Sequence, residues 1–178
     1  MADRVGGYCW LEHRLFTLTG QWASSGDEGP ALAEATVFWA TASRRHGALA
    51  QAWRDRLPVR AGVDQDELIV APPGPLSEVL DQLADEPAGL DRLGGLVQVV
   101  LPRLLATYEA HAETAAPVSE GPVLAVLDRA RRDGGVESRV GQSLWKRLEG
   151  AGGSPDVIRK LERMFGGVSG VSPGVWAS

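Results

Sequence analysis

The sequence is poor in cysteine, in histidine and in long apolar runs. Its 178 residues include a single cysteine, Cys9, which excludes an intramolecular disulfide. A membrane-spanning helix needs about 20 consecutive, mostly apolar residues, and the sequence contains no such run. We therefore expect no membrane-spanning segment.

An excess of positive charge is also missing. The formal net charge is -5 and the isoelectric point is about 5.2. Because nucleic-acid binding depends on clustered Lys and Arg side chains, we expect no nucleic-acid partner. The first residues, MADRVGGYCWLEH, lack the apolar stretch of a secretory signal, so we expect a cytoplasmic location.

The first half of the sequence has clear helical periodicity. Residues 4–24 place Leu11, Leu15, Leu18 and Trp22 on one helical face. Residues 31–57 carry a heptad-like seam, which ends at Pro58 because proline stops a helix. The seam residues are Leu32, Ala35, Trp39, Ala42, His46, Leu49 and Trp53.

The second half of the sequence predicts a long connection followed by two more long helices. Residues 58–88 contain five prolines and read as a crossover with one short amphipathic helix at 76–84. A helix is predicted over 90–115, kinked at Pro102. A fourth helix follows, with a bend or break at Gly134–Gly135. Its predicted core positions are Val123, Leu127, Ala130, Val140, Leu144 and Leu148.

The end of the chain predicts a short fifth helix over 155–165, with Ser154 as its cap, and an irregular tail over 166–178. Trp176 in this tail is a candidate anchor on another surface or chain. Two helical hairpins joined by one long crossover are typical of ferritin-like folds. We therefore predict a single all-α domain over 1–178, a ferritin-like antiparallel four-helix bundle with a short fifth helix. A plain helical bundle is the alternative.

A ferritin-like bundle that holds two metal ions draws a Glu from each of two helices and a Glu-x-x-His from each of the others. Glu12 borders the apolar stripe of the first helix, and His46 lies in the seam of the second. Ser43, not a glutamate, stands three residues before His46. These positions predict a reduced ligand set, with a solvated Glu12 and a hydrogen-bonded core His46 as the structural alternatives.

The third and fourth predicted helices supply fewer ligands. His111 follows the core face of the third helix together with Tyr108, a pairing that packing alone also explains. The fourth helix has no histidine, and its acidic candidates are Asp128, Asp133 and Glu137. The candidate metal ligands are Glu12, His46, His111 and Asp133.

Other chemistries have weaker signals. The sequence has no Gly-rich phosphate loop, no zinc-binding Cys and His cluster and no Gly-x-Ser-x-Gly motif. Cys9 and His13 are four residues apart on a helix, and we interpret this as chance proximity. The six tryptophans predict core packing, and a cavity lined by them would suit an apolar ligand.

Three stretches carry a family resemblance: WLEHRLFTLTGQW, RRHGALAQAWRDRLPV and VQVVLPRLLATYEAH. They resemble a group of uncharacterised ferritin-like proteins of actinobacteria, over roughly residues 8–148. The resemblance implies the fold, and it places Glu12 and His46 at positions that match candidate ligands of the group. Residues 47–50 replace much of the group's His-rich run and residues 132–135 interrupt its acidic stretch, which implies a degenerate di-metal site.

Two functional hypotheses follow. In the first, the bundle has lost its di-iron centre, holds no cofactor and acts as a binder of an apolar small molecule or as a subunit of a protein partner or homodimer. In the second, it is an oxygen-using non-haem iron or manganese hydroxylase or oxidase with a reduced ligand set. The second requires Glu12, His46, His111 and one acidic residue of the fourth helix to converge on one point.

Overall fold

The structure, a computed structural model, describes residues 2–25, 33–59, 61–62, 64–148 and 155–166. Within these ranges the chain forms helices and no strand, so the all-α prediction is confirmed. None of the described helices is both long enough and apolar enough to cross a membrane.

The helices follow the predicted order closely. Two long helices come first, a short 3₁₀ turn and a short helix follow, and the third long segment is built from two α-helices separated by a π-helical stretch. The elements are α1 (Ala2–Ser24), α2 (Ala33–Arg54), the 3₁₀ turn (Gln65–Leu68), α3 (Leu76–Ala84), α4 (Gly89–Gly94), the π-helical stretch (Gly95–Val100), α5 (Leu101–Thr114), α6 (Gly121–Leu148) and α7 (Pro155–Met164).

Helices α1 and α2 form an antiparallel pair. The Ser43 hydroxyl donates to the Phe16 carbonyl at 3.0 Å, and the rings of Tyr8 and Trp53 lie 4.9 Å apart at the other end of the pair. The predicted leucines of α1 and the predicted seam of α2 from Ala35 to Trp53 are buried, and Leu32 lies outside the described residues. This pairing brings the polar residues of both seams into the core.

Helix α6 completes the core on the far side of α2. It runs antiparallel to α2, since Arg45 pairs with Glu137 and Glu34 pairs with Arg147. It also packs on α5, where Arg131 donates to Glu109 at 2.5 Å. Helix α6 therefore lies against both α2 and α5.

The chain before Pro102 is π-helical. The N–H of Leu101 donates to the carbonyl of Leu96, five residues earlier. A proline ring clashes with the carbonyl four residues before it, and the wider π-helical turn relieves this crowding. A π-helical stretch thus stands where the sequence predicts a kink.

The predicted bend or break at Gly134–Gly135 is not a break, because α6 continues from Gly121 to Leu148. The absence of a side chain serves packing here. A Cβ atom at Gly134 would lie 2.9 Å from Cδ2 of Leu105, so the glycine allows α6 to approach α5 closely. The loss of helix propensity is offset by this contact.

Helices α3 and α7 cover one end of the core, which α4 and the π-helical stretch form. Helix α3 matches the short helix predicted within the crossover and buries Leu76, Val79, Leu80 and Leu83. Helix α7 buries Leu161 and is fixed by Arg103, which donates to both carboxylate oxygens of Glu162. The predicted cap Ser154, the tail from residue 167 and Trp176 lie outside the described residues.

Candidate functional site

Four charged side chains meet between α1, α2 and α6, and we call them the buried ionic cluster: Glu12, Arg45, His46 and Glu137. Nδ1 of His46 lies 2.5 Å from Oε2 of Glu12, and Nε2 lies 3.2 Å from Oε1 of Glu137. Nη1 of Arg45 donates to Oε2 of Glu137 at 2.6 Å. Both carboxylates are fully buried, so their charges are balanced by these cations instead of water.

The charged groups of the buried ionic cluster shift the pKa values of their partners toward the ionised forms. Burial lowers the pKa of His46, but the Glu137 and Glu12 carboxylates and their hydrogen bonds outweigh it and raise the pKa to about 10. Burial raises the pKa of Glu137, but His46 and Arg45 outweigh it and hold the pKa below its usual value. At neutral pH, His46 is therefore an imidazolium between two carboxylates.

A series of aromatic and polar side chains extends from Glu12 toward the protein surface. The Tyr108 hydroxyl donates to Oε1 of Glu12 at 2.5 Å, and the Tyr8 ring lies edge-on to Tyr108 at 5.0 Å. The Tyr8 hydroxyl lies 3.1 Å from Nδ1 of His111, whose Nε2 is 3.9 Å from Glu120. With Nε2 protonated toward that carboxylate, Nδ1 accepts from Tyr8.

The tyrosines and His111 are neutral in this arrangement. Burial raises the pKa of Tyr8. Burial and the adjacent Glu12 carboxylate raise the pKa of Tyr108 well above its ordinary value. Burial and Arg4 lower the pKa of His111, against a smaller opposing effect of Glu120. The aromatic side of the cluster therefore supplies hydrogen bonds and no charge at neutral pH.

Helical spacing explains why these side chains face inward. Tyr8 and Glu12 are four residues apart on α1, and Tyr108 and His111 are three apart on α5, so each pair shares a face. On α6, Glu137 lies seven residues after the buried Ala130 and seven before the buried Leu144. That heptad spacing is the sequence signal for Glu137.

The structure brings together only part of the predicted metal-ligand set. Glu12 and His46 are in contact. His111 is further away: it contacts Tyr8, whose ring lies against Tyr108, the tyrosine that donates to Glu12. Asp133 is elsewhere, beside Arg129 at 3.5 Å on the outer side of α6. Glu137 takes the place that the predicted set gives to Asp133. Arg45 and Tyr8 complete the arrangement and were not among the predicted site residues.

The buried ionic cluster does not fit a metal centre as it is arranged. The two nitrogens of the His46 ring point in opposite directions, and each faces a carboxylate. One imidazole cannot direct a lone pair at a metal while both nitrogens hold hydrogen bonds. Among the described residues, no three His, Cys, Asp or Glu side chains are grouped to hold a metal ion. The geometry gives the iron or manganese hypothesis no support.

Cys9 is held away from reactive chemistry. Its thiol donates to the Ala50 carbonyl at 3.4 Å, and it is buried. Burial, with a smaller opposing effect of Arg54, raises its pKa to about 11. The reactive form of a cysteine is the thiolate, so burial of Cys9 disfavours its reactive form.

An apolar groove of about 810 Å³ runs between α2 and α6, next to the buried ionic cluster. We call it the α2–α6 groove. Phe38, Ala42 and Leu144 form its buried floor, and three valines stand exposed along it: Val37, Val136 and Val140, which are 67, 42 and 53 % exposed. Exposed apolar side chains gathered along one groove form a surface that a ligand or partner could cover.

The two ends of the α2–α6 groove differ in charge. One end holds Arg45, paired with Glu137, together with Arg139. The other end holds the ion pair between Glu34 and Arg147. The α2–α6 groove is therefore apolar along its length and has charged side chains at both ends.

A second groove, of about 630 Å³, lies over α1 and α2 beside the 3₁₀ turn and is lined by Cys9, His13 and Phe16 among others. None of the described residues that line the two grooves is a tryptophan. Trp22, Trp39, Trp53 and Trp145 are buried in the core, as the packing interpretation predicts.

Comparisons with protein-family models, with curated proteins and with solved structures gave no match.

Proposed function

We propose that this protein is a non-enzymatic, ferritin-like bundle that binds an apolar small molecule in the α2–α6 groove. Ferritin-like bundles hold their metal ions between the core helices, and the buried ionic cluster, which lies between α1, α2 and α6, supports a bundle that has replaced such a site by ion pairs. The observation that carries the proposal is the apolar groove itself, which lies against that cluster. Of the two roles predicted for a bundle without a metal centre, this geometry favours small-ligand binding.

The size and composition of the groove support this role. Pockets for small molecules are usually about 300–1,000 Å³, with mostly apolar walls and a few polar groups. The groove is about 810 Å³ and has an apolar floor with charged residues at its ends. Covering its exposed valines would remove apolar surface from water, at about 25 cal/mol per Å².

The electrostatics of the cluster argue against acid–base catalysis. A general base works best when its pKa is near the working pH. His46 has a pKa raised to about 10, so at neutral pH it is protonated and has no free lone pair. Glu137 is engaged by both His46 and Arg45. The cluster instead holds two carboxylates and two cations in ion pairs, and its members Arg45 and Glu137 line the groove.

The test uses N-phenylnaphthylamine, a neutral apolar fluorophore whose emission rises in an apolar site. Val140→Trp places a large ring in the groove, and because Val140 is half exposed, the fold tolerates the change. The matched control is Val118→Trp, at a fully exposed valine outside the groove. We expect saturable binding by the native protein and by Val118→Trp, and a loss of about tenfold or more in affinity for Val140→Trp.

Either of two outcomes would overturn the proposal. One is a native protein that shows no saturable binding. The other is binding that Val140→Trp and Val118→Trp leave equally strong, since the fluorophore would then sit outside the groove. Sedimentation of the same proteins tests the homodimer: a dimer that Val140→Trp dissociates would make the groove a subunit interface.

A further inference from the structure

The charged residues of the α2–α6 groove do not balance. Three arginines and two glutamates line it: Arg45, Arg139, Arg147, Glu34 and Glu137. Each glutamate is paired with an arginine, Glu137 with Arg45 and Glu34 with Arg147. Arg139 has no ion-pair partner among the described residues. Among the described residues that line it, the groove thus carries one positive charge without an ion-pair partner, in a chain whose net charge is -5.

The extra cation lies at one end of the groove. Because α2 and α6 are antiparallel, Arg139 is at the same end as Arg45 and Glu137. Arg45 uses one terminal nitrogen for Glu137, and its guanidinium has further N–H donors at the groove wall. The apolar stretch between Val37 and Val140 leads away from this end.

We infer that the ligand of the groove is a monoanionic amphiphile, an aliphatic chain that ends in one free carboxylate. This inference rests on the proposed function and names its ligand class. Arg139 and the outer N–H groups of Arg45 would receive the carboxylate, since guanidinium groups match its planar geometry. The chain lies along the valines toward the Glu34–Arg147 ion pair. The one cation that has no ion-pair partner among the described groove residues, Arg139, matches one anionic head group.

The experiment compares three probes of equal chain length by titration calorimetry: octanoate, octanol and octyltrimethylammonium. We expect octanoate to bind most tightly and the cationic probe most weakly. Arg139→Gln should weaken octanoate binding by about five- to tenfold and leave octanol binding within about twofold, because only the carboxylate makes charge-assisted hydrogen bonds. The matched control is Arg132→Gln, an exposed arginine of α6 that does not line the groove.

The outcomes separate this inference from the proposed function. If octanol binds as tightly as octanoate, or if Arg139→Gln and Arg132→Gln behave alike, the carboxylate assignment is wrong while an apolar groove stands. If no probe binds and N-phenylnaphthylamine does not bind either, both fail. Binding to vesicles of anionic phospholipid without binding of free octanoate would assign the surface to a membrane and overturn the inference.

Discussion

In the core of the bundle, Nδ1 of His46 lies 2.5 Å from Oε2 of Glu12, and the two side chains are only 2 and 0 % exposed. A charged pair so far from water is stable only while every partner is present. Replacing a whole buried ion pair by apolar groups is often neutral, whereas removing one member leaves a buried charge without compensation. The strongest predictions therefore concern His46.

Replacement of His46 by glutamine should destabilise the fold. The change keeps hydrogen-bonding capacity but removes the cation that lies between Glu12 and Glu137. We expect the free energy of unfolding to fall by about 3–5 kcal/mol, measured by urea denaturation. His13→Gln, at an exposed histidine of α1, is the control and should change stability by less than about 0.5 kcal/mol. A loss below about 1 kcal/mol for His46→Gln would contradict the ionic assignment.

Stability should decline above neutral pH because of the same residue. Folding raises the pKa of His46 from 6.5 to about 10, so its contribution is complete below pH 6.5 and is lost as the pH rises toward 10. The expected slope is up to about 1.4 kcal/mol per pH unit, from one extra proton in the folded state. His111, whose pKa is lowered, contributes no slope above its usual titration range.

The measurement is urea denaturation at several pH values between 6.5 and about 8.5, below the range in which the Cys9 thiol, with its ordinary pKa of 9.0, ionises in the unfolded chain. The His46→Gln protein is the control and should show a much flatter profile. On the acid side, the lowered pKa of Glu137 predicts stability that is present above its usual pKa and is lost as the pH falls. A native profile that is flat between pH 6.5 and 8.5 would show that His46 is neutral.

Neither tyrosine should ionise near pH 10 while the protein is folded. The sequence has two tyrosines, Tyr8 and Tyr108, and burial raises the pKa of each. In an ultraviolet titration of tyrosinate, we expect absorbance to rise only together with unfolding, followed by circular dichroism. Two tyrosines titrating at the ordinary pKa of 10.0 in the folded protein would contradict their burial.

Two glycines of α6 should respond to alanine in opposite directions. A Cβ at Gly141 would lie 2.5 Å from Cγ1 of Val97 and 2.9 Å from Cζ of Phe38, so Gly141→Ala should cost about 1–3 kcal/mol. A Cβ at Gly135 would meet only the Arg139 side chain, at 3.7 Å, so Gly135→Ala should stabilise the helix by about 0.5–1 kcal/mol. Thermal denaturation of both variants is the measurement. Equal shifts of the two unfolding midpoints would contradict the close packing at Gly141.

Added metal should find no site at the buried ionic cluster. We expect ferrous iron, added without oxygen, and manganese to leave the midpoint of thermal unfolding unchanged, because both nitrogens of His46 are occupied. Elemental analysis after dialysis should give far less than one metal ion per chain. Stoichiometric iron that His46→Gln abolishes would instead favour the oxygen-using enzyme hypothesis.

Periodicity predicted the helices because apolar spacing is a local property of the sequence. The seams of α1 and α2 were identified with their polar members, and Glu12 and His46 were singled out for that reason. The buried face of the fourth predicted helix, α6, was harder to predict. Val140 is apolar and was assigned to the core, yet it is 53 % exposed, while the adjacent Gly141 faces inward. A glycine gives no hydropathy signal, so the buried face was shifted by one position.

The sequence alone determined that the chain is helical and that His46 and His111 lie on inward faces, because these features follow from spacing along single helices. It left Glu12 at the border of the apolar stripe, and the structure buries it. Only the tertiary structure decided what those residues contact. The choice of Glu137 over Asp133, the pairing of both His46 nitrogens with carboxylates and the α2–α6 groove depend on the rotation and separation of helices distant in sequence. Those quantities are set by packing of side chains across the core, which no single helix encodes.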